Sequence, residues 1–331
     1  MQVAVFSTKS YDRDFLIRAS ADGEIQYDFF EERLTERTVA LASGFRAVCC
    51  FVNDELSADV IHAIAAGGTR MIALRCAGYN QCDLPAAAVA GIQVARVPDY
   101  SPHAVAEHAF GLILTLNRKF HKAYNRVREG NFALHGMLGF DLHGKTIGVI
   151  GTGKIGRNVV AIAKGFGCRV LAYDLHKDPA CVAAGAEYVE LDQLLGASDV
   201  VTLHCPLLPA TAHLINAQTI AQMKPGVMLI NTSRGGLVEA KAVIDGLKTG
   251  RIGYVGLDVY EEEAELFFED RSERVIQDDV FLRLLSFPNV LITGHQGFFT
   301  HNALEAISQV TTDNLRQFLR GEPLTNLVHV G

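Results

Sequence analysis

Three stretches in the second half of the chain place a residue suited to proton or anion chemistry just past an apolar, strand-like run. Residues 227–231 lead into Thr232-Ser233-Arg234-Gly235-Gly236. Residues 253–259 lead into Tyr260-Glu261-Glu262-Glu263-Ala264-Glu265, and 290–293 lead into Gly294-His295-Gln296-Gly297. Ligands of open α/β sheets bind beyond the carboxyl ends of the strands, so these are the places to look for a site. Arg234 carries a planar fork matched to a carboxylate, and the two glycines after it let the backbone turn sharply. From position alone it reads equally well as a surface arginine ahead of a helix. Histidine titrates near neutral pH, which suits His295 to general acid–base work. The chain has 12 histidines, and only its strand-end location singles this one out. One glutamate of the acidic stretch could orient it, although most of that stretch reads as a solvated loop. Spacing does not say which glutamate matters.

The partner for such a site is announced upstream. Gly151-Thr152-Gly153-Lys154-Ile155-Gly156 follows the apolar run 146–150 and opens a helical stretch. This G-x-G-x-x-G arrangement, between a strand and a helix, is a dinucleotide-binding pattern. Gly151 permits the tight turn, Gly153 lets the backbone approach a pyrophosphate, and Gly156 allows the helix to pack close. The helix N-terminus adds N–H groups and a partial positive charge. A second strand, 169–173, ends at Asp174, 18 positions past Gly156 (174 − 156). An acid there is placed for the ribose hydroxyls, and its charge repels a 2′-phosphate. NAD is therefore expected over NADP, with His176 and Lys177 opposing that preference slightly. The competing reading, a glycine turn in a fold that binds no nucleotide, leaves the strand, the helix and the acid unexplained. The combined expectation is hydride transfer. Arg234 grips a 2-oxo acid, His295 as imidazolium protonates the carbonyl oxygen, and the reduced nicotinamide supplies hydride.

Strands and helices must alternate to build such a site. Strands are expected at 3–7, 25–30, 47–52, 71–75 and 94–97, then at 146–150, 169–173, 200–205, 227–231, 253–259 and 290–293. Ser101 and Pro102 make a good helix start, and one long helix is expected over 103–129. A last amphipathic helix, 302–319, is stopped by Gly321 and Pro323. The pattern predicts an α/β protein with two Rossmann-like or flavodoxin-like doubly wound domains, parallel sheets and a cleft between them. Residues 102–298 form the NAD-binding domain. Residues 1–101 and 299–331 form a discontinuous substrate-binding domain, with hinges at 98–102 and 294–300.

At 331 residues the chain suits two domains. Hydrophobic residues at 49% and charged residues at 20% fit a globular protein with a sizeable core. A net charge of −7 argues against nucleic acid or an anionic membrane as partner. Seven cysteines form no C-x-x-C pair, so neither a metal site nor a disulfide framework is expected. Residues 3–6 read as a strand rather than a secretory signal, and the apolar run 110–116 is too short to span a bilayer. A cytoplasmic homo-oligomer is expected, with the helix from His103 at a subunit interface.

The chain closely resembles the D-isomer-specific 2-hydroxyacid dehydrogenases over its whole length. The resemblance is carried by Leu74-Arg75-Cys76-Ala77-Gly78-Tyr79-Asn80, His204-Cys205-Pro206-Leu207, Asn231-Thr232-Ser233-Arg234-Gly235 and Gly256-Leu257-Asp258-Val259-Tyr260-Glu261. Phe267-Phe268-Glu269-Asp270 resembles the family's fermentative lactate branch in particular. The resemblance implies an Arg–Glu–His catalytic set at Arg234, Glu263 and His295. It implies cofactor contacts at Lys154, Ile155, Asp174, Cys205, Pro206, Thr232 and Asp258, beside the glycines 151, 153 and 156. On the substrate side it implies Ala77 and Gly78, whose N–H groups can meet a carboxylate, and Tyr100. Two positions depart from the family pattern. Asp99 stands where a small residue usually precedes the tyrosine, and Gly297 stands where alanine usually follows His295-Gln296. The implied reaction is reduction of pyruvate to D-lactate with NADH, by a homodimer or homotetramer. The alternatives are another short 2-oxo acid (glyoxylate, hydroxypyruvate or 2-oxobutyrate) and an NAD-sensing, corepressor-like binding module.

Overall fold

The computed structural model describes residues 1–263 and 266–329, so Glu265 of the acidic stretch lies outside the described residues. The chain divides into two compact units, Met1–Ser101 with Phe299–Gly331, and Pro102–Phe298.

The first unit is built on five short parallel strands: β1 (Gln2–Val5), β2 (Gln26–Phe29), β3 (Ala47–Cys50), β4 (Met71–Leu74) and β5 (Gln93–Ala95). Their order is β2-β1-β3-β4-β5, that of flavodoxin-like sheets. Successive side chains of a strand point to opposite faces, and here both faces are apolar. Ala4, Val48, Cys50, Ile72 and Leu74 pack with Val60, Ile61 and Ile64 of the helix Ala58–Ala66. Val3, Val5, Cys49, Met71 and Ala73 pack with Leu16 and Leu315. Leu315 belongs to the helix His301–Arg320, which returns from the end of the chain to cover this face. Tyr27 and Thr312 hydroxyls meet at 2.7 Å, and Arg316 Nη2 donates to the Ala19 carbonyl at 2.8 Å.

The second unit holds seven strands: β6 (Thr146–Ile150), β7 (Arg169–Tyr173), β8 (Ala186–Tyr188), β9 (Val200–Leu203), β10 (Val227–Asn231), β11 (Ile252–Leu257) and β12 (Val290–Ile292). They form a parallel sheet in the order β12-β11-β10-β9-β6-β7-β8. The chain runs outward from β6 to β8, then crosses back to β9 on the other side of β6. The turns after β6 and β9 therefore sit at the switch point, where doubly wound sheets bind their ligands.

One expectation needs correction. The single helix expected over 103–129 is two helices, Pro102–Arg118 and Phe120–Arg128. The break is Lys119, whose φ of 53 puts it in the left-handed region, and no glycine or proline announces it. The apolar face of Pro102–Arg118 packs inside the unit, where Phe110, Leu112, Ile113 and Leu116 join the core under β6 and β10. The exposed apolar side chains lie further on, at Phe120, Tyr124, Val127, Phe132, Leu134 and Leu138. The strand β8 was not expected, being three residues long and partly polar. Among the described residues no helix is long and apolar enough to cross a membrane, and no cluster of His, Cys, Asp and Glu could hold a metal ion. All seven cysteines are free.

Candidate active site

β10, β11 and β12 are adjacent in the sheet. The segments that leave their carboxyl ends therefore emerge side by side, although they are far apart along the chain. His295 follows β12 and Glu263 follows β11. His295 Nδ1 lies 2.7 Å from Glu263 Oε1, and Glu263 Oε2 accepts the Tyr260 N–H at 3.0 Å. Both side chains are largely buried. A carboxylate can only accept, so Nδ1 carries the hydrogen and Nε2 is the ring nitrogen left for chemistry. The Phe268 ring packs beside the imidazole with centroids 5.6 Å apart. His295 itself sits at φ 53, a strained conformation for a histidine.

Arg234 leaves the end of β10. The buried Asn231 fixes its backbone: Asn231 Nδ2 donates to the Arg234 carbonyl at 2.8 Å, and Asn231 Oδ1 accepts the Ser233 N–H at 3.0 Å. The guanidinium makes a 2.7 Å bond from Nη1 to the Ser233 carbonyl. Gly235 is required by close approach, since a Cβ there would lie 2.1 Å from the Tyr260 carbonyl carbon. That contact joins the arginine turn to the turn carrying the glutamates. Glu261 faces elsewhere and pairs with His213 Nε2 at 2.5 Å, while Glu262 is exposed. Among the described glutamates of the stretch, it is Glu263 that meets His295.

The glycine turn shows three different constraints. Gly151 has φ 91, and a Cβ on it would lie 2.4 Å from the Cys205 N. On Gly156 a Cβ would lie 1.9 Å from the Gly151 carbonyl oxygen. On Gly153 it would meet nothing within 4 Å, so open space faces this backbone. Gly153 caps the helix Lys154–Gly165 without any side-chain cap bond. Asp174 lies at the end of β7 and accepts the N–H groups of Thr152 at 2.6 Å and His176 at 3.1 Å. Partial burial works against this carboxylate, but those bonds outweigh it and hold the carboxyl below its usual range. Across the switch point, Cys205 and Pro206 follow β9, and Ser233 Oγ donates to the Cys205 carbonyl at 2.7 Å. Burial pushes the Cys205 thiol up to about 11, so it is no thiolate nucleophile. Thr232 Oγ1 is buried with no hydrogen-bond partner among the described residues. An open glycine backbone, an acid at the second strand end and an unsatisfied hydroxyl at the switch point together fit a dinucleotide.

Ala77, Gly78 and Tyr100 belong to the other unit. Ala77 and Gly78 form a half-buried turn after β4. Arg96 Nη1 holds the Ala77 carbonyl at 2.7 Å, and Cys76 Sγ lies 3.2 Å from the Gly78 carbonyl. Tyr100 is half-buried in the segment ahead of the helix Pro102–Arg118.

The resemblance names Asp258 as a cofactor contact but gives no sign of the His108 and Thr293 side chains that hold it. His108 Nε2 lies 3.2 Å from Asp258 Oδ1, and Thr293 Oγ1 donates to the same oxygen at 2.5 Å. Burial works against this carboxylate, but the bonds from His108 and Thr293 prevail and keep the carboxyl below its usual range. His108 carried no sequence signal, because it lies on a helix 150 residues before Asp258 (258 − 108).

A dinucleotide loop at the switch point of one parallel sheet, with an Arg–Glu–His group at three neighbouring strand ends, defines a nicotinamide-dependent dehydrogenase. The family described as D-isomer specific 2-hydroxyacid dehydrogenase, NAD binding domain, matches residues 110–297, and the chain belongs to it. Similar relatives include a 2-hydroxyacid dehydrogenase homolog of Haemophilus influenzae, 52% identical over 99% of both chains. The D-lactate dehydrogenase of Escherichia coli is 51% identical over 98% of this chain and 99% of its own. A solved structure of the pyruvate reductase of Chlamydomonas reinhardtii matches with a TM-score of 0.93 and 46% identity over 98% of each chain.

Proposed function

We propose that the chain is a D-lactate dehydrogenase that reduces pyruvate, with Arg234, Glu263 and His295 as its catalytic set. The observation that carries this reading is the 2.7 Å contact between Glu263 Oε1 and His295 Nδ1. It leaves the opposite ring nitrogen as the proton donor, and the carboxylate supports the charged imidazole. Arg234 binds the substrate carboxylate through its fork. His295 Nε2 gives its proton to the carbonyl oxygen, and in the reverse direction it takes the hydroxyl proton. When bound, NADH supplies the hydride that reaches the carbonyl carbon. Gly151, Gly153, Lys154, Ile155 and Gly156 hold the pyrophosphate side of the cofactor and Asp174 holds the ribose. Cys205, Pro206, Thr232 and Asp258 complete its site. Ala77, Gly78 and Tyr100 serve the substrate. On this reading residues 102–298 form the cofactor domain, and 1–101 with 299–331 form the substrate domain. Segments 98–102 and 294–300 are the hinges.

Similarity to the D-lactate dehydrogenase of E. coli and the pyruvate reductase of Chlamydomonas favours pyruvate over other short 2-oxo acids. One methylene in an apolar pocket is worth only about 1–3 kcal/mol, so the preference needs measurement. A steady-state screen of pyruvate, glyoxylate, hydroxypyruvate and 2-oxobutyrate, with NADH and with NADPH, decides it. The highest kcat/KM is expected for pyruvate with NADH. A higher value for another acid would reassign the substrate, and no turnover with any of them would favour a nucleotide-sensing module. We place the enzyme in the cytoplasm, as a homodimer or homotetramer joined through the exposed apolar side chains between Phe120 and Leu138. Sedimentation at micromolar concentration tests the assembly, and a monomer would refute it.

A further inference from the structure

The turn that carries His295 is held almost entirely by one residue. The Asp258 carbonyl accepts the His295 N–H at 2.7 Å. Its carboxylate accepts the Gln296 N–H at 2.9 Å through Oδ1 and the Gly297 N–H at 2.7 Å through Oδ2. Three consecutive backbone donors thus converge on Asp258, which is 1% exposed. Such a grip matters here because His295 has a φ of 53. A histidine keeps that conformation only where its surroundings over-determine it.

Two side chains in turn hold the Asp258 carboxylate. Thr293 Oγ1 gives its one proton to Oδ1 at 2.5 Å. His108 Nε2 lies 3.2 Å from Oδ1 and 3.1 Å from Thr293 Oγ1. Both of those oxygens are acceptors toward the imidazole, so Nε2 carries a hydrogen shared between them. Gly297 brings the turn close to both partners. A Cβ there would lie 2.9 Å from Asp258 Oδ2 and 3.4 Å from His108 Cδ2. The departure from the usual alanine at this position coincides with a turn pressed directly against the Asp258–His108 pair.

We propose that His108 is a positioning residue of the reaction: through Asp258 and Thr293 it sets the turn 295–297, and so the aim of the His295 ring. The proposal rests on the assignment of His295 as proton donor. Among the described residues the side-chain bonds of His108 go to Asp258 and Thr293, so it acts through the turn. Loss of its N–H leaves a buried carboxylate short of one donor, and the strained turn is then free to relax. A misplacement on the order of 1 Å at a proton donor costs about a hundredfold in rate.

The test is pyruvate reduction by the intact enzyme carrying His108→Leu, His108→Gln or His108→Asn, with NADH saturating. His108→Leu should lower kcat about tenfold to a hundredfold while both KM values stay within about twofold. The solvent deuterium isotope effect on kcat should rise, because proton transfer becomes harder. His108→Gln, whose amide can reach the same oxygens, should recover most of kcat, and the shorter His108→Asn should not. In a His295→Gln background the His108→Leu change should cost nothing more. A thermal midpoint that falls while kcat and the isotope effect hold would make His108 merely structural and overturn the proposal. Equal kcat for the Gln and Asn variants would overturn it too, whatever the fate of the Leu variant. If His295→Gln itself keeps parent-like kcat, the assignment of the proton donor fails instead, and the two failures are told apart.

Discussion

At the level of single residues, Arg234 and Glu263 make separable contributions. Lysine at 234 keeps the charge but loses the planar fork, and a charge-assisted bond of this kind is worth about 1.5–3 kcal/mol. Arg234→Lys should therefore raise the pyruvate KM about tenfold to a hundredfold, measured in steady-state assays at saturating NADH. A parent-like KM would place the carboxylate elsewhere. Glu263→Gln removes the negative partner of the imidazole and keeps the volume. Pyruvate reduction should then fail at lower pH than in the parent, because the charged ring loses its carboxylate. A pH–rate profile that superimposes on the parent's would remove Glu263 from that role. The sequence made Arg234 and His295 visible through their places after apolar runs. It left the glutamates undivided, because a run of acids looks the same whichever member turns inward. The family resemblance singled out Glu263, and the 2.7 Å contact supplies a physical reason.

At the level of elements, the central strands were legible because they are buried on both faces, which makes their runs continuously apolar. The apolar runs overshoot the carboxyl ends of the strands. Ser7, Arg75 and Cys205 continue the strand-like pattern in composition, yet they leave the ladder to enter loops. The Lys119 break was invisible because a lysine carries no signal for a left-handed backbone. The glycine turn gives the sharpest element-scale expectation. Gly156 and the Gly151 carbonyl approach so closely that a methyl group, 1.9 Å away, has nowhere to go. Gly156→Ala must separate the helix Lys154–Gly165 from β6. The cost should be about 3 kcal/mol, read as a lower urea midpoint, together with weaker NADH binding by fluorescence titration. An unchanged midpoint would mean that the helix moves freely.

At the level of the whole molecule, acid stability depends on a histidine that takes no part in the proposed chemistry. His204 follows the strand β9, with Nε2 2.8 Å from Thr202 Oγ1 and Nδ1 buried without a partner among the described residues. Burial pushes it from 6.5 down to about 3. The unfolded chain therefore binds a proton that the folded one refuses. The neutral ring supports folding fully above pH 6.5, and that support is lost as pH falls toward about 3. Between pH 6.5 and about pH 5 the loss amounts to about 2 kcal/mol. Asp174 and Asp258, both held below the usual carboxylate range, add a further loss in more acid solution. Substitution His204→Asn should flatten the decline of unfolding free energy between pH 6.5 and about pH 5, measured by urea titration. A slope equal to the parent's would show that the ring already takes up its proton in the folded state.

The central claim is that His295, backed by Glu263, hands a proton to the substrate as hydride is transferred. Single-turnover decay of NADH absorbance, after mixing enzyme and NADH with pyruvate, tests it most directly. In His295→Gln the decay should be about 10²–10⁴-fold slower than in the parent, with NADH still bound. Decay at the parent's rate would contradict the account.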